Sequence, residues 1–214
     1  MNERQPASAT KRVGLFGGSF DPVHLGHLAM ARAARDAMRL DEIVWMVARA
    51  SPLKGGANAP ALDRLEMVKR AIRGEAGFVA SDLEIRRGGV SYTIDTIEAL
   101  KKVRPGAQIY CIFGSDSLQT FTRWRAAGQI VKDAIPVIVP REGCGKEVLN
   151  SISKALGADV AAPLEAGWLD VPKVTISSTE IRKKLLLGES LRDLVAPDVE
   201  TYIHERGLYQ ESKI

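Results

Sequence analysis

Cysteine is nearly missing from this chain. Cys111 and Cys144 are the only 2 among 214 residues, and they form neither a C-x-x-C pair nor any metal-type spacing, which excludes a disulfide framework and a zinc ribbon and fits a reducing, cytoplasmic compartment. Long apolar runs are missing too: no stretch reaches the eighteen or so residues a membrane-spanning helix needs. Residues 1–11 (MNERQPASATK) are polar where a signal peptide would be apolar, so a flexible tail is expected. Charge of one sign is also scarce. Lys and Arg number 30 against 26 Asp and Glu, a net charge of +4, and the charges are interspersed, so neither a nucleic-acid footprint nor a membrane-surface patch is expected. Neither G-x-G-x-x-G nor G-x-x-x-x-G-K-[ST] occurs, which excludes the standard dinucleotide fingerprint and the P-loop.

What is there is the profile of an ordinary globular protein, 45% hydrophobic and 26% charged, long enough to bury a sizeable core. One domain over 12–214 is expected, with 175–214 as a helical C-terminal subregion. Val13–Phe16 reads as a strand ending in Gly17-Gly18. Leu28, Ala31, Ala34 and Met38 then recur at helical spacing, and Ile43–Ala48 is a continuous apolar run of strand length. That is a β-α-β unit with a strand buried on both faces. Ser51–Pro60 is a loop at a strand carboxyl end, where ligands tend to bind. Helices are expected around Leu62–Ile72, Ile94–Val103 and Lys146–Leu156. Strands are expected at Gln108–Phe113 and Ile135–Val139, short extended pieces at Phe78–Ala80 and Leu83–Ile85, and a weak strand at Trp168–Val171. Short helices surround Trp124, and Arg141–Gly145 is a turn. The alternation predicts an α/β, doubly wound, Rossmann-like parallel sheet with a small helical C-terminal part.

Two segments concentrate chemistry. Between the first strand and first helix runs Gly17-Gly18-Ser19-Phe20-Asp21-Pro22-Val23-His24-Leu25-Gly26-His27, holding two of the 3 histidines. Its glycines allow close backbone approach, and a helix start favours phosphate through free amides and its dipole. The same residues could form a plain tight turn, and H-x-x-H could ligate a metal, although no third ligand lies at a familiar spacing. The second segment is Thr175-Ile176-Ser177-Ser178-Thr179-Glu180-Ile181-Arg182. Ser177 and Glu180 fit an S-x-x-E capping box. Capping alone leaves Arg182 unexplained, because a cation in the first turns opposes the helix dipole; a phosphate there would engage both.

GGSFDPVHLGH resembles the G-x-F-x-P-x-H-x-G-H signature of the nucleotidyltransferase superfamily, and ISSTEIR resembles its distal motif. With SYTIDT (Ser91–Thr96), FGSD (Phe113–Asp116) and the segment around Trp124, the chain is similar to the bacterial nicotinate-nucleotide adenylyltransferases over about Val13 to Tyr209. The resemblance implies transfer of the adenylyl group of ATP to nicotinate mononucleotide, giving deamido-NAD and pyrophosphate, with Mg2+ assisting. It implies that His24, His27 and Arg182 are catalytic. It further implies that Gly17, Gly18, Ser19, Phe20, Gly114, Asp116, Ile176, Ser177 and Ser178 bind ATP, and that Thr93, Trp124, Arg125 and Lys54 bind the nicotinate nucleotide. Many members carry P-P-H-K where this chain has Ser51-Pro52-Leu53-Lys54, so no role passes to a histidine there.

Each residue also has a plainer reading. Trp124 could be a packing aromatic, Thr93 and Asp95 could simply start a helix, and Lys54 could be a solvated loop residue. Cys111 and His204 are read as structural. The alternative substrates are nicotinamide mononucleotide and phosphopantetheine; a different class is a non-catalytic nucleotide-sensing module.

Overall fold

The computed structural model describes residues 10–53 and 55–210. Five strands, β1 (Arg12–Gly18), β2 (Glu42–Val47), β3 (Phe78–Ser81), β4 (Gln108–Gly114) and β5 (Ile135–Val139), form one sheet in the order β3-β2-β1-β4-β5. Every pairing is parallel. The chain runs outward from β1 through β2 to β3, then returns to place β4 on the other side of β1, so the topological switch lies between β1 and β4. In open α/β sheets, ligands bind outside the strand carboxyl ends at that point.

Side chains alternate across the sheet and feed two cores. On one face Phe16, Ile43, Trp45, Val47, Tyr110, Ile112, Val137 and Val139 pack against α1 (Leu25–Met38), α2 (Ala61–Ala71) and α9 (Pro197–Glu205). On the other, Val13, Leu15, Val44, Met46, Ile109, Cys111, Phe113 and Ile138 meet α4 (Thr93–Val103), α5 (Ala127–Asp133), α6 (Val148–Leu156) and α7 (Ala158–Ala166). Burial on both faces is why β2 is apolar at nearly every position, while Glu42 at its start is held by Lys11 and Arg104. This is the expected doubly wound α/β architecture with its helical C-terminal part, α8 (Ser178–Leu186) and α9.

Two local expectations are corrected. Leu83–Ile85 is not extended: it lies in α3 (Leu83–Arg87), a single turn closed by Gly88 at φ 76°. Its apolar pair packs as readily from one helical turn as from a strand. Trp168–Val171 is no strand either, making one isolated bridge from Trp168 to Ile138. The helix α7 has no counterpart among the expected elements; it carries Pro163 within it and follows α6 after Gly157 alone.

Candidate active site

A cavity of about 900 Å3 opens at the carboxyl ends of β1 and β4, lined by Gly17, Gly18 and Ser19 from the first and Phe113, Gly114 and Asp116 from the second. Residues far apart in sequence complete it: His24 and His27 of α1, Thr93 of α4, Trp124 and Arg125, and Ser177, Ser178 and Arg182 of α8. Phe20 also lines it but is buried against Phe16, Trp45 and His27. Ile176 does not line the cavity; its carbonyl accepts from Arg141 Nη2 at 2.9 Å. Lys54 lies outside the described residues.

The two histidines cap α1 with each other. The His27 amide donates to His24 Nδ1 at 3.3 Å, and the His24 amide donates to His27 Nδ1 at 3.2 Å, a capping box made of imidazoles. The rings stack with centroids 3.7 Å apart. Each Nδ1 accepts, so in this arrangement the ring proton sits on Nε2. Burial, with Arg141 nearby, pushes the His24 pKa down to about 3, which keeps it a neutral donor. Gly26 between them is required by contact: a Cβ there would lie 2.9 Å from both His24 Nδ1 and Val174 Cγ1. These bonds revise the picture of α1 as an open phosphate cradle. The Leu25 amide is taken by the Leu194 carbonyl at 2.8 Å and the His27 amide by His24, so side chains rather than helix amides are offered there.

The α8 start differs. Ser177 Oγ accepts from the Glu180 amide at 3.2 Å, half of the expected capping box; the Glu180 carboxylate does not reach back and pairs with Lys183 instead. Among the described residues, the amides of Ser178 and Thr179 have no protein acceptor, and both residues line the cavity. The Ser178 hydroxyl donates to the Pro22 carbonyl at 2.9 Å, and Arg182 Nη1 donates to the Asp21 carbonyl at 2.6 Å, so α8 is docked on the histidine-bearing turn.

Several site residues carried no local signal in the sequence. Arg141 follows β5, lines the cavity, pairs with Asp116 at 3.3 Å and is only 13% exposed in its side chain; its place at a strand carboxyl end was the available clue. Asp21 is buried and accepts from the Asn58 amide and side chain, the Ala59 amide and the Tyr209 hydroxyl. Burial alone would raise its pKa, but these bonds outweigh it and hold the carboxyl below its usual range. Arg64, fully buried, donates to the carbonyls of Ser19, Ala59 and Arg49.

At the far end, Trp124 packs against Phe113 and Phe121 and donates to Thr120 Oγ1 at 3.2 Å, while still lining the cavity. The Arg125 guanidinium is engaged by Asp95 and lies 4.1 Å over the Tyr92 ring. Thr93 is the first residue of α4, and Asp95 lies in that helix's first turn. Cys111 is buried in β4 and burial pushes its thiol pKa up, so it is no nucleophile. His204 is exposed on α9.

Comparison with known proteins agrees with this geometry. The family model described as cytidylyltransferase-like matches residues 15–184. A protein of Synechococcus sp. (strain JA-3-3Ab) named "Probable nicotinate-nucleotide adenylyltransferase" is 41% identical, covering 95% of this chain and 97% of that protein. One of the same name from Neisseria meningitidis serogroup B is 37% identical over 94% of this chain and 100% of that protein. The solved structure of Plasmodium falciparum nicotinic acid mononucleotide adenylyltransferase complexed with NaAD shares the fold, with a TM-score of 0.74 at 22% identity over 93% of this chain and 97% of the other. The chain therefore belongs to the cytidylyltransferase-like family, among the nicotinate-nucleotide adenylyltransferases.

Proposed function

We propose that the cavity binds ATP and nicotinate mononucleotide side by side and joins them into deamido-NAD, releasing pyrophosphate. The observation that carries this is the meeting of two motif segments in one cavity: the mutually capped histidines of α1 and the start of α8, docked together by Arg182 and Ser178. A phosphate oxygen of the mononucleotide attacks the α-phosphorus of ATP, the bond to the bridging α–β oxygen breaks, and the pyrophosphate leaves with that oxygen. The nucleophile is already anionic, so the protein has no proton to remove and its work is alignment and charge stabilisation.

In this reading His24 and His27 donate from Nε2 to the phosphates as charge shifts toward the leaving group. Arg182 supplies a fixed positive charge beside them. The amides of Ser178 and Thr179, with the Ser177 cap, hold the outer phosphates; Ser178 contributes its amide because its hydroxyl is committed to Pro22. Gly17, Gly18, Ser19 and Phe20 shape the wall beneath the triphosphate. Gly114 and Asp116 face the ribose, with Arg141 fixing Asp116 and the Ile176 carbonyl. Trp124 stacks on the pyridine, and the amides of Thr93 and Arg125 receive the nicotinate carboxylate, since the Arg125 guanidinium is engaged elsewhere. Lys54 is assigned to the nicotinate nucleotide by the family resemblance alone.

Mg2+ suits this site as a passenger on the triphosphate. Among the described residues no group of three or more His, Cys, Asp or Glu is arranged to hold a metal, and Mg2+ on nucleotides is held largely by phosphates and water. Bound there, it would neutralise part of the triphosphate charge. Residues 12–214 act as one catalytic domain. The two free, buried cysteines suit a reducing cytoplasm.

The test is pyrophosphate release from ATP with nicotinate mononucleotide, nicotinamide mononucleotide or phosphopantetheine offered separately. Strong preference for the first is expected. Preference for either of the others would overturn the substrate assignment, and ATP binding without turnover would make the chain a nucleotide sensor.

A further inference from the structure

The turn from Ser19 to Pro22 is held from four directions. Arg64 Nη1 of α2 donates to the Ser19 carbonyl at 2.6 Å, Arg182 Nη1 of α8 to the Asp21 carbonyl at 2.6 Å, and Ser178 Oγ to the Pro22 carbonyl at 2.9 Å. The fourth is the Asp21 carboxylate itself. One of its oxygens accepts from the Asn58 amide at 2.7 Å and the Asn58 side chain at 3.0 Å; the other accepts from the Ala59 amide at 3.0 Å and the Tyr209 hydroxyl at 2.9 Å. Thus one buried carboxylate joins the histidine-bearing turn, the loop after β2 and the segment beyond α9.

Tyr209 is placed for this contact at some local cost. Its φ of 62° lies in the left-handed region, which a residue with a side chain adopts only when its surroundings impose it. The backbone before it is fastened by the Leu208 amide to the Ile203 carbonyl at 3.0 Å. Burial and the Asp21 charge both raise the Tyr209 pKa, so the phenol keeps its proton and acts as a donor. The carboxylate it fixes lies two peptide units before Val23 and three before His24, the N-cap of α1. A shift of Asp21 therefore displaces the Nε2 donors and the carbonyl that orients Arg182.

We propose that Tyr209 is a positioning residue for adenylyl transfer: its hydroxyl bond to Asp21 sets the turn that aims His24, His27 and Arg182 at the phosphates. The inference rests on the functional reading above. It predicts an effect on the transition state more than on ground-state binding, because the groups it aligns are those that follow developing charge.

The experiment compares wild type, Tyr209→Phe and Asn58→Ala in the pyrophosphate-release assay, with thermal midpoints measured on the same preparations. Wild-type turnover comes first and judges the functional reading by itself. Given that turnover, Tyr209→Phe is expected to lower kcat by about 10-fold or more, the scale of losing one hydrogen bond to a charged group, with KM for both substrates within about 2-fold. Asn58→Ala, which removes a different donor from the same carboxylate, is expected to lower kcat in the same sense. Unchanged kcat in Tyr209→Phe, whether or not its melting temperature drops and whatever Asn58→Ala shows, would overturn the proposal.

Discussion

His24, Gly26 and His27 form a unit in which each residue type has a stated cause. The histidines each lend an Nδ1 to the other's amide, and the intervening glycine leaves room for the His24 ring. Because the ring proton is thereby fixed on Nε2, truncating His27 removes half of the cap and, on the proposed reading, a donor toward the phosphates. His27→Ala is expected to lower kcat by about 10²-fold, the scale of losing one preorganised charge-stabilising donor; steady-state kinetics showing an unchanged kcat would remove His27 from the mechanism. His24 also leaves a mark on stability. Its folded pKa of about 3 lies below the 6.5 of an ordinary imidazole, so between these values the unfolded chain binds a proton that the folded chain refuses. Its stabilising contribution is complete above pH 6.5 and is lost as pH falls toward 3, at up to about 1.4 kcal/mol per pH unit. The lowered carboxyls of Asp21 and Glu42 act only below their ordinary values of 3.8 and 4.5. In the interval from pH 6.5 to 5 these carboxyls are therefore silent and imidazoles alone among the side chains titrate, so His24 is singled out by its own substitution. In urea titrations across that interval, His24→Asn, which can still cap a helix, should lose stability less steeply than wild type. Equal slopes would show that His24 is not held neutral.

At the scale of elements, the start of α8 separates what caps a helix from what resembles a cap in sequence. Ser177 accepts from the Glu180 amide, but Glu180 returns nothing and pairs with Lys183 in the open. Ser177→Ala should cost about 1 kcal/mol of unfolding free energy. Glu180→Ala should cost a few tenths of a kcal/mol at most, as an exposed pair and a first-turn charge allow. Chemical denaturation of the two variants checks this, and equal losses would restore the full capping box. The strands were legible because a strand buried on both faces is written as an unbroken apolar run, as Ile43–Val47 and Ile109–Phe113 are. Leu83–Ile85 and Trp168–Val171 misled because two or three apolar residues fit one helical turn or a packed coil equally well. α7 stayed hidden behind Pro163 and scattered alanines, with only Asp159 and Glu165 to mark a polar face.

For the whole molecule, the site was legible where its residues are contiguous and illegible where the chain folds back. GGSFDPVHLGH and ISSTEIR each lie within a single turn and helix start, so their pattern is local. Asn58, Arg64, Arg141 and Tyr209 reach the same place through bonds to carbonyls and to one carboxylate, and spacing along the chain carries no trace of such bonds. That folding back also decides whether the C-terminal helices are an appendage. Ile181, Leu191, Val195, Val199 and Ile203 are almost wholly buried, and they close the same core that holds Phe16, Trp45 and α1. Each such side chain is worth roughly 2 kcal/mol of burial, and removing the five together also opens to water the side of the core that holds Phe16 and Trp45. Losing residues 175–214 would also strip the Leu194 carbonyl from the α1 start and Tyr202 and Arg206 from Asp63. A chain ending at residue 174 is therefore expected to show no cooperative unfolding transition by circular dichroism, although it retains all five strands. A cooperatively folded 1–174 fragment would show instead that the sheet with α1 to α7 is self-sufficient and that α8 and α9 were added to a finished nucleotide-binding body.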